Sequence, residues 1–138
     1  MIIKPFNFKD ESKPVKDLYR AVGWSTYLQD PSLLAPAFDQ SLLVLGAFVE
    51  DQLVGFIRCV GDGQHIVLIQ DLLVDPDYQK QGIGRQLLQT VWETYAHVRM
   101  LQLNTDLYDT TANAFYQSIG MVPISEGQMI SYYRKPTP

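Results

Sequence analysis

The chain has 138 residues, 46% of them hydrophobic and 19% charged, with a formal net charge of −4. This is the size and composition of one globular domain with a single sizeable core, so residues 1–138 are read as one domain, and disorder or a solenoid is excluded. The acidic balance, with a pI near 5.0, supplies no basic stripe for nucleic acid, and no run approaches the roughly 18 apolar residues that cross a bilayer.

Ile2 to Phe8 alternates loosely and reads as an edge strand in which Pro5 is tolerated. Lys4 and Pro5 also cut short the initial apolar stretch, which is therefore not a secretory signal, and a cytoplasmic location is the expectation. Ser12 is a candidate helix cap with Pro14 in the first turn, Val15, Leu18, Tyr19 and Val22 follow at helical spacing, and Gly23 ends the pattern. Trp24 to Pro31 is a loop carrying two large rings, Trp24 and Tyr27, and Asp30-Pro31 opens a short second helix. Rings in such a loop either pack against the core or wall a cleft.

Leu42 to Val49 and Leu53 to Val60 flank the polar Glu50-Asp51-Gln52, a hairpin signal. The second run contains the single cysteine, Cys59, which has no partner for an internal disulfide and reads as a buried thiol. Ile66 to Val74 is the third run. Both of its parities are mostly apolar, which predicts a central strand buried on both faces, yet Gln70 and Asp71 interrupt it. A buried carboxylate without a partner is costly, so either the strand loses regularity there or these groups face a wet cleft.

The segment LLVDPDYQKQGIGRQLL, Leu72 to Leu88, then passes from strand through a turn into Gln79-Lys80-Gln81-Gly82-Ile83-Gly84 and a helix. Loop amides backed by a helix N-terminus form a concavity suited to phosphate. A dinucleotide fingerprint would need glycine at Leu87, and a Walker loop would need G-K-[ST]. Ile83, Leu87, Leu88, Val91, Trp92 and Tyr95 make one apolar helix face, which places Trp92 in the core. Met100 to Asn104 is a short strand, Asp109-Thr110-Thr111 caps a last helix closed by Gly120, and Val122–Ile124 with Met129–Tyr133 reads as a closing hairpin. His65 and His97 stand apart without metal-ligand spacing, and no metal is expected.

The Q-x-x-G-x-G pattern over Gln79–Gly84, after a strand and before a helix, resembles the acetyl-coenzyme A signature of the GCN5-related N-acetyltransferases (GNAT). Asn113-Ala114-Phe115-Tyr116-Gln117-Ser118-Ile119-Gly120-Met121 is similar to a second segment of the same family. The resemblance implies an α/β (α+β) fold with a central, mostly antiparallel twisted mixed sheet of six to seven strands, flanked by about four helices and splayed around the cofactor. It implies acetyl-CoA as donor, with Leu72, Leu73 and Val74 along the pantetheine arm, and Gln79, Lys80, Gln81, Gly82, Ile83, Gly84 and Arg85 around the pyrophosphate. It also implies Tyr116 as the acid that protonates the departing thiolate, and it makes Trp24 and Tyr27 candidates for the acceptor pocket. Some members carry a glutamate immediately before the position of Asp71. Gln70 stands there and cannot take a proton at neutral pH, so Asp71 is the candidate base, acting directly or through water. The expected reaction is direct transfer of acetyl to a primary amine of a small molecule in a ternary complex. A non-catalytic acyl-CoA-binding module and a peptide or protein N-acetyltransferase are the alternatives, and a homodimer is compatible with the family.

Overall fold

The computed structural model describes residues 1–137, and Pro138, the last residue of the expected domain, lies outside the described residues. Contacts divide the described residues into two compact units, the first over Met1–Asn104 and the second from Thr105 onward.

The first unit is built on a five-stranded sheet in the order β1-β2-β3-β4-β5, with strands Ile2–Pro5, Leu43–Val49, Gln52–Gly61, Ile66–Val74 and Met100–Leu103. Pairing is antiparallel from β1 to β4 and parallel between β4 and β5. The β2–β3 hairpin closes through Glu50 and Asp51, both with positive φ (51° and 63°), the backbone of a two-residue turn whose twist matches its strands. Pro5 sits on edge strand β1, where its missing N–H costs no ladder bond.

Helix α1 (Phe8–Ala21) starts earlier than its sequence signal. Asn7 Oδ1 accepts from the Asp10 amide at 2.9 Å, a first turn forms, and Glu11 (φ −123°, ψ 25°) breaks it before the helix resumes through Pro14. Pro14 has no N–H to give Asp10 and its ring crowds that carbonyl, which accounts for the kink. Gly23, at φ +80°, ends the helix as expected, with the Trp24 amide bonded to Tyr19 O at 2.9 Å. Short helices α2 (Thr26–Gln29) and α3 (Leu34–Asp39) follow, with Asp30 capping the turn between them.

Phe8, Val15, Leu18, Tyr19, Leu34 and Phe38 pack with Phe48, Leu53, Phe56 and Leu73 into one core cluster. Ile57 and Cys59, fully buried, alternate with Phe56 along β3 and so belong to the opposite face. There α4 (Ile83–Thr94) packs on β2, β3 and β4 through buried Ile83, Leu87, Leu88 and Val91. Trp92, expected in this core, is 39% exposed. At about 100° per residue it falls roughly 180° from Ile83, outside the arc that the other four share.

One irregularity in β4 explains its sequence. Arg58 pairs with Asp71 but Cys59 pairs with Ile69, so Gln70 is an extra residue, a β-bulge. Partners in register share a face of the sheet. Asp71 and Leu73 therefore face the α1 side with Arg58 and Phe56, while Ile69 and Val67 face the α4 side with Cys59 and Gly61. The strand does lose regularity at Gln70 and Asp71, and the two apolar parities reflect a change of face at the bulge. The expectation of burial on both faces is corrected accordingly: Val67, Ile69, Asp71 and Leu73 are buried, whereas Leu68, Leu72 and Val74 are only partly so and Ile66 is exposed.

In the second unit, α5 (Thr110–Ile119) is capped by Asp109 Oδ1, which accepts from the Ala112 amide at 2.9 Å, and Gly120 closes it at φ +108°. The expected closing hairpin is absent among the described residues, which leaves five strands. Pro123 leads into a 3-10 turn over Ile124–Gly127, and Gln128 leaves it at φ +62°. Val122, Ile130, Tyr132 and Tyr133 are 62–89% exposed; an alternating pattern makes a strand only when a ladder receives it.

The contrast on α4 is measurable by urea unfolding. Leu88→Ala, at a fully buried position, is expected to cost about 2–5 kcal/mol, and Trp92→Ala less than half as much.

Candidate active site

Two features of β4 define the site in the first unit. Up to Ile69 the strand is bonded to β5, through Ile66↔Met100 to Ile69↔Leu103. Beyond the bulge, Gln70 to Val74 have no β5 partner among the described residues, so that edge is open along Leu72, Leu73 and Val74. Strand backbone without a neighbouring strand bonds water, a side chain or a ligand, and a pantetheine arm with its amides could pair with the groups left on this edge.

The chain then turns through Pro76–Tyr78, with Asp75 capping the turn at the Asp77 amide, and Gln79 Nε2 donates back to Val74 O at 3.0 Å. Lys80 (φ 64°) and Gly82 (φ 83°) both adopt left-handed backbone, which curls Gln79–Gly82 into an exposed loop at the start of α4. A Cβ on Gly82 would meet open space, so the requirement for glycine there is the backbone conformation. The first helical bond runs from the Gln86 amide to Gly82 O at 3.0 Å. The Ile83 and Gly84 amides precede it and have no intrahelical partner. Helix start, exposed loop and the cations Lys80 and Arg85 together have the chemistry of a pyrophosphate cradle.

On the α1 side of the bulge lies a buried polar cluster. Asp71, 1% exposed, accepts from Arg58 Nε at 2.7 Å and Tyr19 Oη at 2.8 Å on Oδ2, and from Tyr27 Oη at 2.6 Å on Oδ1. Arg58 is also buried, bonds Ser41 Oγ at 3.3 Å, and lies over the Phe38 and Tyr27 rings at 5.1 and 5.9 Å. Burial works against the Arg58 charge, but the Asp71 carboxylate outweighs it and holds the guanidinium above its usual pKa. Burial, with Asp71 adding to it, pushes the Tyr19 and Tyr27 hydroxyls up, so both stay protonated.

Asp71, the candidate base, lies inside this cluster. Its carboxylate is enclosed by three donors, one of them a guanidinium, and is not presented to solvent. Tyr27, half-buried, stacks on Tyr19 at 4.5 Å and accepts from Gln70 Nε2 at 3.0 Å. Trp24, 38% exposed, stacks on the same Tyr19 ring at 6.4 Å. The two loop rings are thus packed on the core at their inner edges and open at their outer ones. Arg58 and Tyr19 were not singled out by sequence, although a cation in the apolar run of β3 signals a buried partner. Cys59 is fully buried, and burial pushes its thiol up to about 12, which removes it as a nucleophile.

Tyr116 lies half-buried on α5 in the second unit, where burial and then the Asp109 carboxylate raise its pKa. Among the described residues no group of three or more His, Cys, Asp or Glu side chains could hold a metal. None of the helices there is long and apolar enough to cross a membrane.

Residues 8–121 match the model of the acetyltransferase (GNAT) family. A solved GNAT-family acetyltransferase from Streptococcus pneumoniae TIGR4 is similar at 31% identity and TM-score 0.81, covering 99% of this chain and 98% of its own. An aminoglycoside acetyltransferase from an uncultured soil metagenomic sample, solved with sisomicin, shares the fold at 23% identity and TM-score 0.71, covering 99% and 96%. A curated relative, an uncharacterized ycf52-like N-acetyltransferase of Prochlorococcus marinus, is 28% identical over 86% of this chain and 67% of its own length. The histone acetyltransferase TAP1 of Glycine max is 32% identical over 56% of this chain, which spans only 33% of it. The chain belongs to the GNAT acetyltransferase family. Membership makes it an acetyl-CoA-dependent N-acetyltransferase domain with coenzyme A as product.

The buried ion pair gives a direct test by urea unfolding. Arg58→Met, which strands the Asp71 charge, is expected to cost about 3–5 kcal/mol, and Arg58→Met with Asp71→Leu to recover much of that loss.

Proposed function

We propose that this chain transfers the acetyl group of acetyl-CoA to a primary amine of a small molecule by direct attack in a ternary complex. The observation that carries the reading is the open β4 edge over Leu72–Val74, leading directly into the Gln79–Arg85 loop at the start of α4. When bound, acetyl-CoA supplies the acyl group as a thioester. The β4 backbone would hold the pantetheine arm and donate an N–H to the thioester carbonyl oxygen, where negative charge develops. The Gln79–Arg85 amides, with the Lys80 and Arg85 side chains, would hold the pyrophosphate. Backbone groups would make most of these contacts, and Lys80 and Arg85 would add the opposing charge.

Tyr116 would supply the proton that the departing thiolate takes up. Its raised pKa keeps it protonated through the pH range in which an amine attacks. Trp24 and Tyr27 would wall the acceptor site. A small cationic amine is favoured by the two part-exposed rings, which suit an apolar or cationic group, and by the net charge of −4, which attracts cationic molecules. The aminoglycoside acetyltransferase that shares the fold gives a concrete class to test.

Release of free coenzyme A should be assayed over a panel of amines that includes sisomicin. With an accepted amine, Tyr116→Phe is expected to lower kcat by on the order of 100-fold. In the unsubstituted protein, activity should persist as pH rises to the ordinary tyrosine value of 10.0 and fall only above it, because the folded protein retains the Tyr116 proton longer. Unchanged turnover in the variant would remove Tyr116 from the reaction.

A further inference from the structure

Asp71 does more than neutralise Arg58: it fixes the direction of a chain of hydrogen bonds that ends at the surface. A carboxylate ion-paired to a guanidinium only accepts hydrogen bonds. Tyr27 must therefore spend its one proton on Asp71 Oδ1, at 2.6 Å. Its oxygen can then only accept, and it accepts from Gln70 at 3.0 Å. Of the two ends of the Gln70 amide, only Nε2 can donate, so the amide is held with Nε2 toward Tyr27. Its carbonyl oxygen has no donor among the described residues, and Gln70 is exposed. The bulge puts this side chain at the point where β4 leaves β5 and its donor-side edge opens. At the other end, Arg58 and Tyr19 lock Asp71 Oδ2 at 2.7 and 2.8 Å, so the whole relay has one polarity.

We propose that Gln70 Oε1 is the group that receives an N–H of the attacking amine, and that the Arg58–Asp71–Tyr27 relay holds it in that orientation. The inference rests on the acetyl-transfer reading above. An amide oxygen can orient a neutral amine, with one N–H donated to Oε1 and the nitrogen lone pair left for the thioester carbonyl, but it cannot take the amine's proton. That proton leaves to water. The substrate class is accordingly a primary amine that gives up its proton to solvent, and the rise of activity with pH follows the acceptor's own pKa. Gln70 is then a substrate-contacting residue, and Asp71, Arg58 and Tyr27 are positioning residues.

Asparagine at position 71 would reverse the relay. With its oxygen kept toward Arg58, its amide N–H₂ would face Tyr27, Tyr27 would donate to Gln70, and Gln70 would turn Nε2 outward. A donor would then face the amine. This sets up a test that simple destabilisation would not reproduce. Steady-state kinetics would be measured with sisomicin, 2-phenylethylamine and a lysyl peptide as acceptors, for Gln70→Met, Asp71→Asn and the double variant, with melting temperatures alongside.

With an accepted amine, Gln70→Met is expected to lower kcat/KM for the amine by about 10-fold to 100-fold, the loss of one polar contact to the reacting group. KM for acetyl-CoA should stay within about twofold. Asp71→Asn should lower the amine kcat/KM at least as much, and the double variant should be no worse than Gln70→Met, because reversing the relay has no effect once the amide is gone. The rising limb of the pH profile should move with the pKa of the amine in the unsubstituted protein and stay unmoved in Asp71→Asn. Gln70→Met at full amine kcat/KM, or losses that add fully in the double variant, would overturn the relay while leaving acetyl transfer standing. Should the unsubstituted protein acetylate none of the acceptors, the acetyl-transfer reading fails and this proposal with it.

Discussion

The contact on which the structure turns is the ion pair between Arg58 and Asp71, both buried, on neighbouring strands. Two charges taken out of water repay their desolvation only with close geometry and with their remaining capacity satisfied. Here Tyr19, Tyr27 and Ser41 complete the shell, and no buried side-chain polar atom among the described residues lacks a partner. The pair is matched to the register of β3 on β4 at the bulge, where Arg58 stands opposite Asp71. Moving β4 by one residue would turn Asp71 toward the α4 face and strand Arg58 among Phe38 and Phe56.

From that arrangement the rest of the site follows in one strand. Below the bulge β4 is an ordinary interior strand bonded on both sides. Above it one edge is open, and the chain runs from there through the left-handed Lys80 and Gly82 to the first turn of α4. The proposed acceptor side, Tyr27 and Gln70, and the proposed donor side, Leu72 to Arg85, therefore adjoin one another along β4 and the loop that follows it. Tyr19 ties them to α1, since its ring supports Trp24 and Tyr27 while its hydroxyl binds Asp71.

Much of this was legible in the sequence where one residue type dictates one backbone. Gly23 and Gly120 end their helices, Asp30 and Asp109 cap the turns they precede, and Glu50-Asp51 closes the hairpin. The glycine loop was readable because strand, loop and helix signals agreed. Interruption of an apolar strand by Gln70 and Asp71 signalled a broken register, but the identity of the partner was not legible, because Arg58 lies 13 residues away and only strand pairing brings it opposite. Trp92 was misplaced because an apolar stripe has an edge, and a large ring at that edge looks like core. The closing strands were misplaced because alternation over Met129–Tyr133 records a propensity, whereas Pro123 and the turn at Gln128 direct the chain otherwise.

Acetyl transfer by this chain depends first on donor recognition by strand edge and glycine loop. Amide resonances of the ¹⁵N-labelled protein, followed while coenzyme A is added, report on it residue by residue. The largest shifts should fall on Leu72, Leu73 and Val74 and on Gln79 to Arg85, with Cys59 and Val91 in the core unmoved. Saturating coenzyme A that leaves those two segments unshifted, or shifts concentrated elsewhere, would contradict it.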